Sequence, residues 1–257
     1  MAKVVRFLMP PRQCLFCKNP VDSAEHVWSD WILKELKPTQ PIRIRIGKRS
    51  DRWSDTAKMT VNCVCQKCNN GWMSDLENDN RPQIRSMIHD RGIDLEPTAQ
   101  KELSRWSVLK AMVIEAADRQ RNPFYDESER KNLKPPSSVL PVRTSVWIGR
   151  YFDSSLHAGG TLVSGNIGRI PNALHGSVTT IVVGHLAVQI FTEHVPPMFA
   201  TWSLNIRCFP GPWDRSLVRI WPVFGPVRWP PPVSFTKTVP NHIGALVNRF
   251  KTGEDVG

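Results

Sequence analysis

The chain has 257 residues, 40% of them hydrophobic and 22% charged, the balance of a folded globular protein with room for one large domain or two small ones. No run approaches the roughly 18 apolar residues of a membrane span, and the apolar run within Met1–Pro10 is too short for a secretory signal, so a cytoplasmic location without a membrane partner is expected. A net charge of +11 and a pI near 9.7 favour a polyanionic partner, nucleic acid ahead of an acidic membrane.

Residues 4–9 read as a short strand leading to Cys14-Leu15-Phe16-Cys17. Two helix starts compete after it. Asp22 and Glu25 have the spacing of a capping box, while Ser29 is a second candidate cap for the stripe Val27, Trp31, Ile32 and Leu36. Ser29 is preferred, because it leaves Glu25 and His26 on the strand or loop ahead of the helix, and Lys37-Pro38 ends the helix either way. Residues 42–46 alternate Ile and Arg as a half-buried strand. Its basic face, Arg43 and Arg45, continues into Lys48, Arg49 and Arg52 beside Trp53. It reads either as a solvated face or as a hairpin contacting phosphates.

A strand near Thr56–Val64 should deliver the chain to Cys65-Gln66-Lys67-Cys68, which opens a helix through Trp72, Met73 and Leu76. Arg81-Pro82 is expected to interrupt that helix, with a further turn reaching Asp90-Arg91-Gly92. Thr98 to about Gln120 carries the strongest helical pattern, with Leu103, Trp106, Leu109, Val113 and Ala117 on its buried face and Asn122-Pro123 as its stop. Pro135-Pro136-Ser137-Ser138 marks the expected boundary between a domain at 1–136 and another at 137–257. Beyond it β-branched runs recur at Val142–Phe152, Thr161–Ser164, Val178–Val183, Leu186–Val195 and Leu217–Phe224, with a tight hairpin at Val183-Gly184-His185 and a short helix in the tail from Asn241. The expected fold class is α+β: a small metal-stapled N-terminal module, then helices, then a mostly β domain.

Five of the six cysteines, Cys14, Cys17, Cys63, Cys65 and Cys68, fall in two tight groups, the habit of metal sites rather than of disulfide frameworks. Cys14, Cys17, Cys65 and Cys68 supply the four thiolates of a structural Zn²⁺ site, one knuckle on a hairpin and the other at a helix start. Cys63 is an extra thiol that could stand in for Cys65, though Cys65-x-x-Cys68 has the better knuckle spacing. The other histidines lack ligand spacing. No Ser-His-Asp order, Walker loop or dinucleotide fingerprint occurs, so acyl transfer and nucleotide hydrolysis have no support.

Cys-x-x-Cys, then Glu25-His26, then Cys-x-x-Cys-Asn69 opening a helix resembles the HNH endonucleases of the His-Me finger (ββα-metal) group, above all the zinc-stapled, treble-clef versions in phage recombination endonucleases. The likeness covers about residues 10–80. It implies a nuclease that hydrolyses phosphodiester bonds to 5′-phosphate and 3′-hydroxyl ends, with DNA favoured over RNA by family habit and a role in phage defence by analogy. It makes His26 the general base that activates water, a role suited to an imidazole. Glu25 and Asn69 become ligands of one catalytic Mg²⁺ or Mn²⁺, a hard cation that takes oxygen donors. Glu25 replaces the family's usual aspartate, and His89 lies too far along to replace a histidine of the following helix. Asn62 is a candidate loop brace, and Asp75 and Glu77 are fallback ligands or simply exposed helix carboxylates. The alternative is a zinc-stabilised nucleic-acid-binding module that does not cut, or a protein whose β domain binds a protein partner or a second copy.

Overall fold

A computed structural model describes residues 12–36, 42–44, 52–54, 60–118, 123–152, 158–166, 175–195 and 216–235. The strand expected at 4–9, the basic residues Arg45, Lys48 and Arg49, and the tail from Asn241 lie outside these ranges. Among the described residues no helix is long and apolar enough to cross a membrane.

The N-terminal part is built on a two-stranded antiparallel ladder, β1 (Ser23–His26) against β4 (Thr60–Val64). Between them come α1 (Asp30–Leu36) and a separate hairpin of β2 (Ile42–Ile44) with β3 (Arg52–Ser54), in which Arg43 lies opposite Trp53. The helix therefore begins after Ser29, whose carbonyl accepts from Ile32 and Leu33. The competing cap, Asp22, serves a different helix: its Oδ1 accepts from the Gln66 N–H at 2.6 Å, where α2 (Gln66–Cys68) begins. Chain direction then passes through a π-helical turn, Asn69–Met73, broken at Gly71, into α3 (Ser74–Ile88).

Pro82 does not interrupt α3, contrary to the sequence expectation. Proline removes one N–H, and the carbonyl it leaves without a helical partner belongs to exposed Asn78, where water can satisfy it. The buried face of Leu76, Asn80, Ile84, Met87 and Ile88 continues straight past the proline. Asn80 reinforces it, donating to the Leu76 and Glu102 carbonyls.

After β5 (Ile93–Leu95), α4 (Pro97–Asp118) runs through the middle of the molecule. Leu103, Trp106, Leu109 and Val113 are buried as expected, but so are Gln100, Ser104, Ser107, Lys110 and Glu115. The two serines are satisfied within the helix, donating to the Gln100 and Leu103 carbonyls. A helix polar on several sides yet covered on nearly all of them must be packed from both sides. Here α4 meets β4 of the N-terminal ladder and also β7 (Ala158–Asn166), β9 (Leu186–His194) and β10 (Leu217–Trp221).

Those strands belong to a six-stranded sheet ordered β10-β6-β9-β8-β7, with β6 at Thr144–Tyr151 and β8 at His175–Val183. The short β12 (Ser234–Phe235) joins β6 in parallel, and all other pairings are antiparallel. A capped helix, α5 (Glu127–Leu133), precedes the sheet; its capping box of Asp126 and Glu129 was not foreseen. Past β10 the chain returns to the helices: β11 (Val227–Trp229) pairs with β5, and Gln100 donates to the Leu95 and Gly225 carbonyls, each at 2.7 Å. One buried cluster thus runs from Cys14 to Trp229, across the expected boundary at Pro135–Ser138.

The β8–β9 turn fastens sheet to helix. Gly184 has φ +55°, the left-handed conformation of a two-residue hairpin turn, and the His185 N–H donates to the Ile88 carbonyl at the end of α3. A Cβ at Gly184 would sit 2.5 Å from that backbone oxygen. Gly184→Ala should therefore lower stability by about 1–3 kcal/mol, read as a fall in Tm. Gly225→Ala, where a Cβ meets nothing within 4 Å, should leave Tm nearly unchanged.

Candidate functional site

The two Cys-x-x-Cys knuckles converge. The first is folded back by hydrogen bonds from the Cys14 N–H to the Asn19 carbonyl and from the Leu15 N–H to the Cys63 carbonyl, which sets it beside the end of β4. The second is the start of α2. The metal-binding atoms of Cys14, Cys17, Cys65 and Cys68 all lie within 4.8 Å of one another, the one such group among the described residues. Separations of 3.5 Å for Cys17–Cys65 and 3.7 Å for Cys17–Cys68 approach the roughly 3.8 Å edge of a tetrahedron with Zn–S bonds near 2.3 Å.

The surroundings suit thiolates. The Phe16 N–H points at the Cys14 sulfur and the Asn19 amide at that of Cys65. Burial opposes ionisation of Cys65, but the Cys68 N–H and the neighbouring thiols outweigh it and bring the Cys65 thiol down to about 7. Burial pushes Cys14 and Cys68 up, which a bound cation would reverse. Phe16 closes the site edge-on against Trp72, with ring centroids 5.1 Å apart. Cys63 stands apart, buried on the inner face of β4 with its thiol pushed up to about 12 by burial and then by the Glu25 charge.

Glu25 and His26 are successive residues of a paired strand, so their side chains leave opposite faces of the ladder. His26 is half-buried on the same face as Ala24 and exposed Thr60 and Asn62. Glu25 points inward and is 7% exposed. Its Oε1 accepts from Lys110 Nζ of α4 at 2.7 Å, in an ion pair whose lysine side chain is 1% exposed. The same ammonium donates to the His26 carbonyl at 3.0 Å and lies 3.4 Å from Glu77 Oε2 of α3. Glu77 Oε1 in turn accepts from Trp31 Nε1 of α1 at 3.0 Å. Burial works against the Lys110 charge, but the Glu25 and Glu77 carboxylates outweigh it and hold the ammonium above its usual range.

The expected sharing of one divalent ion by Glu25 and Asn69 is thus not what the geometry offers. The Glu25 carboxylate is committed to an ammonium on the core side, away from the His26 ring. Asn69 instead braces β1, its Nδ2 donating to Ser23 Oγ at 2.8 Å and to the Ala24 carbonyl at 3.1 Å, the bracing role considered for Asn62. Of the fallback ligands, Asp75 is exposed on α3 and Glu77 belongs to the lysine network. Sequence reasoning missed Lys110 altogether, although a lysine four residues after Trp106, amid an apolar helix, was a signal. Arg43 and Arg52 lie on the β2–β3 hairpin, described as strand residues only.

A second polar group forms where β8 and β9 end. His175 and His194 are direct cross-strand partners. His194 Nε2 lies 2.8 Å from Glu129 Oε1, and its ring stacks on Phe124 at 4.2 Å. The Glu129 contact raises the His194 pKa, while burial and then the His194 charge lower that of His175. This cluster ties α5 to the ends of two interior strands of the sheet.

Purified protein should carry one Zn²⁺ per chain by elemental analysis. Cys68→Ser or chelation should remove the ion together with a large part of the structure, since such a site supplies on the order of 10–16 kcal/mol of folding energy. Cys63→Ala should retain a full equivalent of metal. Loss of zinc in the Cys63 variant alone would reassign the fourth ligand.

No family model matches the chain, and comparison with curated proteins and with solved structures finds no match either.

Proposed function

We propose that the chain is an HNH-type endonuclease that hydrolyses phosphodiester bonds, DNA first, with His26 as the general base. The observation that carries this reading is local: a zinc-type cluster staples a two-stranded ladder to the helix that follows it, and on the ladder's outer face a half-buried imidazole stands beside a strand braced by Asn69. An imidazole there can take a proton from water attacking a bound phosphate, and the excess of cationic residues favours a polyanionic substrate. The catalytic divalent ion of the HNH pattern does not fit at Glu25, whose carboxylate is neutralised by Lys110, and no step is assigned to it. In this reading a 5′-phosphate and a 3′-hydroxyl are the products.

The same ion pair favours a second reading, a zinc-stabilised module that binds nucleic acid without cutting it. The Glu25 carboxylate paired with Lys110 leaves the outer face of the ladder without that acid as a catalytic ligand.

The separating experiment is plasmid cleavage with Mg²⁺, with Mn²⁺ and with chelator, alongside a binding assay in defined salt. On the endonuclease reading His26→Ala lowers the cleavage rate by about 10²–10⁴-fold and leaves DNA affinity intact. Binding without cleavage by the parent under every condition would establish the second reading. Equal cleavage by parent and variant would exclude His26 as the base.

A further inference from the structure

The Lys110 ammonium has three oxygen neighbours drawn from two separate elements: Glu25 Oε1 and the His26 carbonyl of β1, and Glu77 Oε2 of α3. This is the surrounding of a bound cation, filled by a side chain of the protein itself. The ammonium is sealed from solvent, and its stem rises from the central helix between Trp106 and Val113. Because Nζ grips the carbonyl of His26 as well as the carboxylate of the residue before it, the backbone carrying the imidazole is fixed from the core side. Asn69 fixes the same strand one turn of the ladder earlier, through Ser23 and Ala24. Two anchors on four residues fix the backbone from which the His26 ring projects, and placement of a reacting group is where a large part of catalytic rate resides.

We infer that Lys110 is the resident cation of the Glu25 carboxylate and the positioning residue for His26, so that Glu25 holds no divalent ion. The inference deepens the endonuclease reading and rests on it for its consequence in rate. The placement of the His26 ring is measurable whether or not the protein cuts DNA.

The test uses the full chain with its zinc. Lys110→Met alone strands the buried Glu25 carboxylate, so the informative variant is Lys110→Met with Glu25→Gln, which removes both charges of the close pair with little change of side-chain size. In the double variant the imidazole ¹⁵N resonances of His26 should shift or broaden. Those of His185, on the β8–β9 turn, should stay where they are, with one zinc per chain and a cooperative melt retained. Cleavage should show a kcat lower on the order of 10²-fold with KM unchanged. In the parent, added Mg²⁺ should leave the chemical shift of the Glu25 side-chain carboxyl carbon unchanged. Unmoved His26 resonances in the double variant, or a shift of the Glu25 carboxyl signal on adding Mg²⁺ to the parent, would overturn the inference. Cleavage by the double variant at the parental rate, in a protein whose His26→Ala form is dead, would overturn it while leaving the endonuclease reading in place.

Discussion

A lysine ammonium buried in the middle of a helix has to be met by fixed negative charge, and that requirement organises the N-terminal half of this protein. Lys110 is 1% exposed, and its partners are carboxylates on two different elements together with a main-chain carbonyl. Removing one member of such a group costs about 3–5 kcal/mol, because the others are left charged and dry. The network therefore ties β1, α3 and α4 to one another. Trp31 extends it to α1 through Glu77, and Arg81 lies over the Trp31 ring at 5.0 Å.

The four-thiol cluster acts at the other end of the same ladder. A short two-stranded ribbon is marginal in water on its own account. Here one end of β1 and β4 is tied through the cysteine knuckles to the start of the following helix, with Asp22 capping that start. The inner face, a few residues away, is tied through Lys110 to α4. A four-thiol cluster and a buried ion pair are of different chemical kinds, and a chelator would act only on a metal held by the first. Between them lies the segment Ser23–His26, held by Asn69 and by Lys110.

The parts legible in sequence were those where local chemistry settles the outcome. Cysteine spacing identified the cluster, and recurring runs of β-branched residues located β6, β8, β9 and β10. Apolar periodicity placed α4 to within two residues of its ends. Reasoning failed where a distant element decides. Asp22 and Glu25 have capping-box spacing, yet each is used elsewhere, Asp22 on Gln66 and Glu25 on Lys110. Pro82 reads as a break because local propensity contains no knowledge that the opposite face of α3 is fully buried. The Glu25 metal role came from a pattern of residue types, and the pattern does not record what stands behind the strand. An uncompensated lysine in an apolar helix carried that information, but its partners lie 85 and 33 positions away in sequence.

The relation of the sheet to the rest follows from the same contacts. The β8–β9 turn sits against the end of α3, with the His185 N–H on the Ile88 carbonyl. Arg150 of β6 forms a two-pronged ion pair with Asp90 just beyond that helix, and β11 returns to pair with β5. These contacts join the C-terminal strands to α3 and β5, and among the described residues both α3 and α4 touch the sheet as well as the N-terminal part. A single buried cluster holds residues from both sides of Pro135–Ser138, from the cysteines through α4 to Trp229. The sheet thus packs on the same helix whose Lys110 holds the strand that carries His26.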